Sequence, residues 1–157
     1  MRSRRRPTRS STTTLTEDKP QYWLTPPEFY DELDREFGFD CDPVPYPPLP
    51  PGCDALSMPW GECSYVNPPF MSRHDRYGHG PTAYARKAIE ENRRGKTVVM
   101  FLPVKNYINL LLEAGAEIRP AGRIRWLECT TRQPMPSPVA LFVLRGQRRS
   151  GRLRSTR

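Results

Sequence analysis

Long apolar runs are missing from this sequence. The longest, residues 98–104, falls far short of the ~20 residues that a membrane-spanning helix needs. The first residues are basic but lead into no apolar stretch, so they do not read as a secretory signal. Cysteine is scarce as well: Cys41, Cys53, Cys63 and Cys129 contain no C-x-x-C pair. Structural zinc ligands come in close pairs, so a zinc site drawing on His74 or His79 is disfavoured. Without export, the thiols are expected to be reduced. Acids are absent from both ends of the chain. Residues 1–10 carry five arginines and residues 145–157 carry six, with no Asp or Glu in either stretch. These eleven charges exceed the whole formal charge of +8 and leave residues 11–144 at −3. Residues 1–20 also hold almost nothing large and apolar beyond Leu15, and they cannot build a core. The chain is therefore read as basic disordered tails at 1–20 and 145–157 around one domain, 21–144.

Proline is abundant, with 19 in 157 residues, and it punctuates the elements. Thr25-Pro26-Pro27-Glu28 reads as a capping box with proline at the helix start. Phe29, Leu33 and Phe37 then recur every four residues up to Gly38, which predicts an amphipathic helix and its stop. Phe39-Asp40-Cys41-Asp42-Pro43 is a short strand ending in acids. Residues 44–52 hold five prolines and form an extended connection. Ser64-Tyr65-Val66 is a second short strand, followed by a polar loop over 71–80 and a helix from Pro81 to Gly95. Thr97–Pro103 reads as a buried central strand. A short helix over 106–114 and strands at 124–127 and Val139–Leu144 complete the set. Tyr65, Trp60 and Trp126 are read as core, and His74 and His79 as exposed. The alternation of strands and helices predicts an α/β fold, a mostly parallel sheet with helices on both faces. The charge of the domain is polarised, −9 over residues 11–62 and +6 over residues 63–144.

The segment richest in chemistry is Asn67-Pro68-Pro69-Phe70, directly after a strand. Two prolines fix the backbone and withhold their own donors, leaving carbonyl acceptors at a strand end. The Asn67 side-chain oxygen and the Pro68 carbonyl can accept both N–H bonds of an exocyclic amine while Phe70 stacks on its ring. Held so, the nitrogen lone pair is drawn out of conjugation and aimed at an electrophile. The structural alternative for the same four residues is a proline-rich turn.

This tetrapeptide resembles the catalytic motif of amino-methyltransferases that use S-adenosylmethionine, and the resemblance extends along the domain. Trp23-Leu24-Thr25-Pro26-Pro27-Glu28, Phe39-Asp40-Cys41-Asp42-Pro43, Asp54-Ala55-Leu56 with Trp60, Lys87-Ala88, Glu91, Gly95, Gly122-Arg123-Ile124 and Pro136-Ser137 follow in the order seen in phage-type DNA N-6-adenine methyltransferases. The resemblance implies a compact Rossmann-like methyltransferase domain, adenine in DNA as acceptor and S-adenosylmethionine as cofactor. It implies a catalytic role for Asn67, Pro68, Pro69 and Phe70. It assigns Trp23, Thr25, Pro26, Asp42 and Asp54 to the cofactor, with Asp40 as the candidate for the ribose contact. It also implies a phage or prophage protein working in the cytoplasm of a bacterial host. The proline-dense residues 44–52 stand where larger methyltransferases carry a glycine-rich turn.

Arg73, His74 and Arg76 follow the motif directly, where the phosphates of a flipped nucleotide would lie. The arginine tails suit phosphate contacts that carry no sequence information. The same tetrapeptide also serves cytosine N4, guanine amines in RNA and glutamine amides in proteins, and a catalytically inactive DNA-binding relic is the rival from outside enzymes. DNA is the expected partner, with no membrane; the oligomeric state is not legible. If most of the tail arginines touch phosphates, DNA binding by the full chain is expected to weaken several hundredfold or more between about 50 and 200 mM salt. Deleting both tails should flatten that slope, and an unchanged slope would put the phosphate contacts on the domain.

Overall fold

The computed structural model of the chain describes residues 23–121, 127–128 and 138–147. The N-terminal tail, the C-terminal tail beyond residue 147, residues 122–126 with Trp126, Cys129 and the Pro136-Ser137 pair lie outside the described residues. Of the strand expected at 124–127, only Leu127 is described. In chain order the elements are β1 (Trp23–Leu24), α1 (Pro27–Phe37), β2 (Cys63–Val66), α2 (Pro81–Arg93), β3 (Thr97–Pro103), α3 (Ile108–Glu113), β4 (Glu117–Pro120), β5 (Leu127–Glu128) and β6 (Val139–Leu144). A single 3-10 turn, Ser72–His74, interrupts the loop between β2 and α2. No helix among the described residues is long and apolar enough to cross a membrane.

The main sheet has the order β2-β3-β6-β4, and β1 pairs with β5 in a separate antiparallel ribbon. The expectation of a mostly parallel sheet is corrected here. Only β2 and β3 pair in parallel; β3 with β6 and β4 with β6 are antiparallel. β2, β3 and β4 share one direction, and β6 inserts against it between β3 and β4. A parallel return needs a long crossover, usually a helix, whereas an antiparallel one does not. The sequence between Pro120 and Val139 carries no helical period to supply such a crossover. The chain remains α/β, but the sheet is mixed.

Both faces of this sheet are buried, because β3 and β6 are apolar at every position but one end. Val98, Met100 and Leu102 face one way with Ala140, Phe142 and Leu144, under Tyr84, Ala85 and Ala88 of α2 and Leu111 of α3. Val99 and Phe101 face the other way with Leu141 and Val143, under Leu33 of α1. The helices therefore cover both faces, as expected. Trp60 and Tyr65 are in the core. β4 was not anticipated, since its residues are mostly exposed and show no alternation.

Helix α1 starts at Pro27 and ends at Gly38, whose left-handed φ of 66° is open to glycine at no steric cost. The capping box is corrected: Pro26 occupies the N-cap, no side chain caps the helix, and its carbonyl takes the Phe29 and Tyr30 N–H groups. Prolines pre-set the helical φ, so the start needs no hydroxyl, and Thr25 is released for another contact.

Arg145, first of the C-terminal arginines, is tied to the domain. It pairs with Glu117 at 3.3 Å and lies with Arg119 over the Phe37 ring. Glu91 of α2 is fully buried and holds Lys87 at 2.8 Å, Lys96 at 2.7 Å and Arg94 at 3.2 Å. Lys96 also donates to the Trp60 carbonyl, which fastens α2 to the loop before β2. Burial raises the Glu91 pKa, but hydrogen bonds and charges from Lys87 and Lys96 outweigh it, so the carboxyl lies below its ordinary range. Glu91→Ala leaves two nearly buried ammonium groups without their counter-ion and is expected to cost about 3–5 kcal/mol in chemical denaturation. The wild-type contribution is present above the unfolded carboxylate pKa and is lost as acid protonates the folded-state group.

Candidate functional site

Two chain segments leave the sheet at the same end. Cys41 bridges to Ser64 in parallel on the outer side of β2, with the Tyr65 N–H donating to the Cys41 carbonyl at 2.9 Å. Pairing stops at Pro43 on one segment and at Pro68 on the other, because neither proline has an N–H to continue a ladder. The chain peels away after Asp42 and after Asn67, both at carboxyl ends of parallel segments, where ligands of open α/β sheets bind. Between them lies a cavity of about 330 Å³, the lower end of the usual size for a small-molecule site.

The cavity gathers most of the expected residues. Trp23, Thr25 and Asp42 line it together with Asn67, Pro68, Pro69 and Phe70. Asn67 is anchored: its Nδ2 donates to the Trp23 carbonyl at 2.6 Å and to Thr25 Oγ1 at 3.4 Å. A backbone carbonyl can only accept, so the amide orientation follows from the contact, and Oδ1 is the acceptor that Asn67 offers to a ligand. Thr25 Oγ1 also bonds the buried Tyr65 hydroxyl. Burial drives the Tyr65 pKa strongly upward, so the phenol stays neutral in this network. Tyr65, Tyr30 and Tyr46 line the cavity too; the sequence places Tyr65 in the core and assigns no role to Tyr46. Trp23 reaches the site because β1 is held to β5, a pairing with no short-range signal in the sequence.

Two carboxylates, Asp31 and Asp42, line the cavity, and no Lys, Arg or His does so among the described residues. The cavity therefore suits a cationic ligand and repels phosphate. Asp42 accepts the Val44 N–H at 2.9 Å in a local turn. Asp42 is exposed to solvent on one side, but the cavity walls crowd the other and push the carboxyl up to about 6, against the lowering effect of the Val44 bond.

Three expected cofactor residues stand elsewhere. Pro26 serves as the N-cap of α1 and is not part of the cavity wall. Asp40 accepts the Glu62 and Cys63 N–H groups, each at 3.0 Å, and so caps the entry to β2. Gly61 permits this approach: a Cβ there would lie 2.1 Å from Asp40 Oδ1 and 2.6 Å from Cys41 Cβ. Asp54 accepts from the Leu56 N–H at 2.9 Å and the Ser57 hydroxyl at 2.8 Å, and pairs with His79 at 3.6 Å. Desolvation raises its pKa, yet these partners outweigh it and the net direction is down. Backbone donors nearby claim both carboxylates.

The loop after the motif is also rearranged relative to expectation. His74 is buried rather than exposed, and its Nε2 accepts from Arg73 Nε at 3.3 Å. Arg73 and Arg76 are exposed, but Arg76 also donates to the Leu49 carbonyl at 3.0 Å. His74 and Arg76 line a second cavity of about 60 Å³ that shares Val44, Pro45 and Pro69 with the first. Of the three, Arg73 and Arg76 alone present charge to solvent.

Compared with protein-family models, curated proteins and solved structures, the chain matches none. The reading of the site rests on its own geometry. For Asp42, a folded-state pKa above the unfolded value means that protonation favours the fold. Stability from this group is full below about pH 4 and is lost as pH rises through about 6. Asp42→Asn is expected to remove that dependence and to raise stability at neutral pH, measured by denaturation between pH 4 and pH 8.

Proposed function

We propose that the protein transfers a methyl group from S-adenosylmethionine to an exocyclic amine of a nucleic acid, the N6 amine of adenine in DNA. The observation that carries this reading is the fixed Asn67 amide. Its NH₂ is spent on Trp23 and Thr25, so its oxygen is left as an acceptor on a residue that lines an acidic cavity together with Pro68. In this reading the mixed sheet is a compact Rossmann-like methyltransferase domain, with its crevice at the carboxyl ends of the parallel segments.

The cavity fits such a cofactor in charge and in place. Asp42, with Asp31 nearby, suits the positive charges of a sulfonium and an ammonium group, and the described residues of the wall carry no competing cation. S-adenosylmethionine supplies, when bound, a methyl group on a positively charged sulfur leaving group. The chain's own residues do the rest. Asn67 Oδ1 and the Pro68 carbonyl accept the two amine N–H bonds and turn the nitrogen lone pair out of conjugation. Phe70 supports the flat face of the base, and the prolines keep the acceptors from moving as charge develops on the nitrogen. The surplus amine proton leaves to water, since no histidine or lysine lines the cavity among the described residues. A base drawn from duplex DNA must leave the stack, at a cost of a few kcal/mol, and the exposed Arg73 and Arg76 suit the phosphates on either side.

Incubating the full chain with labelled S-adenosylmethionine and DNA, followed by nucleoside analysis, is expected to place the label in N6-methyladenine. Label in N4-methylcytosine would reassign the acceptor, and absence of both label and cofactor binding would favour an inactive DNA-binding protein. Asn67→Ala is expected to abolish transfer while leaving DNA binding nearly unchanged; retained transfer would overturn the role given to the amide.

A further inference from the structure

The cavity wall holds aromatic side chains of two kinds. Tyr30 and Tyr65 belong to the core beneath it, their rings meeting edge to face at 5.0 Å, and Trp23 packs against the same cluster. Tyr46 lines the cavity as well, yet 54% of its surface is open to solvent.

Its backbone is unusually constrained for an exposed position. Pro45 and Pro47 flank it, locking their own φ and narrowing the backbone choices of Val44 and Tyr46. The segment is also held from outside. Val44 donates to Asp42, Leu49 accepts from Arg76, and the Tyr77 hydroxyl bonds the Cys53 carbonyl at 3.3 Å and the Gly52 N–H at 3.2 Å. A ring presented on such a backbone gives up little further freedom on contact, because a tyrosine has only two side-chain torsions to fix.

We propose that Tyr46 is a second stacking residue of this cavity, laying its ring on a flat heteroaromatic group of the ligand. The inference rests on the methyl-transfer reading above and adds a ligand-binding residue to it. Two groups in that reaction carry such a ring: the unpaired acceptor base and the adenine of the cofactor. Tyr46 stands where the cavity opens to solvent, and stacking there requires no polar partner and tolerates either heterocycle.

Binding separates the two sources and needs no turnover. The full-chain protein, Tyr46→Phe and Tyr46→Ala are titrated with a single-stranded oligonucleotide carrying 2-aminopurine, followed by its fluorescence, and separately with S-adenosylhomocysteine by calorimetry. Tyr46→Ala is expected to lose about tenfold or more in affinity for one of the two ligands and Tyr46→Phe to keep it. Loss confined to the oligonucleotide assigns the ring to the acceptor base; loss confined to S-adenosylhomocysteine assigns it to the cofactor. Equal binding by wild type and Tyr46→Ala overturns the stacking role while leaving the methyl-transfer reading in place. Parallel losses in Tyr46→Phe and Tyr46→Ala also overturn it, since the hydroxyl rather than the ring face would then carry the contact. A wild-type protein that binds neither ligand overturns the methyl-transfer reading itself and the stacking role with it. Matching thermal midpoints for the three proteins confirm that the exposed substitutions leave the fold intact.

Discussion

A proline has no N–H to give to a neighbouring strand, and this deficit at two places decides where the site of this protein lies. Pro43 stops the extended segment that runs beside β2, and Pro68 stops β2 itself, at the same end of the sheet. Strand pairing would otherwise have continued and closed the gap between them. Because it stops, the chain diverges after Asp42 and Asn67, and a cavity opens between two rigid, donor-poor walls. The chemistry available there follows from that poverty. Prolines on the wall offer carbonyl acceptors without N–H donors of their own, and the Asn67 oxygen adds another acceptor.

Charge is arranged to the same end. The cavity wall is acidic and holds no cation among the described residues, whereas the buried acid of α2, Glu91, is surrounded by three basic partners. Glu91 thereby fixes α2 and the Trp60 loop in place without lending charge to the site. The −9 of residues 11–62 is divided by the fold in a way the linear count does not show. Asp40 and Asp54 spend their charge on backbone donors, Glu36 on Arg119, and among the described residues only Asp31 and Asp42 face the cavity. An acidic half of a sequence is thus a weaker statement than an acidic site.

What could be read in advance followed from local rules. The bounds of β3 and β6 were legible because continuous apolar runs between glycine, proline and polar residues leave a buried strand as the only economical outcome. The start of α1 was legible from its prolines and its end from Gly38. Thr25 was misread because its position at a helix start has a common local explanation, whereas its actual partners, Tyr65 and Asn67, are 40 and 42 residues away. β4 escaped notice because its residues are mostly exposed and carry no period. The sheet's mixed character was missed because strand direction depends on connections, and alternation of elements alone does not specify them.

The linear sequence determined the parts: which segments could form strands and helices, where prolines forbade pairing, and the run of acceptors at Asn67 and Pro68. Each of these is a property of a few adjacent residues and their backbone torsions. The tertiary structure alone decided which parts meet. It brought Trp23 and Thr25 onto the Asn67 amide, kept Asp42 in the cavity and withdrew Asp40 and Asp54, and turned His74 inward. Those outcomes are competitions among donors and acceptors far apart in the chain, and they are settled by distance in the folded molecule.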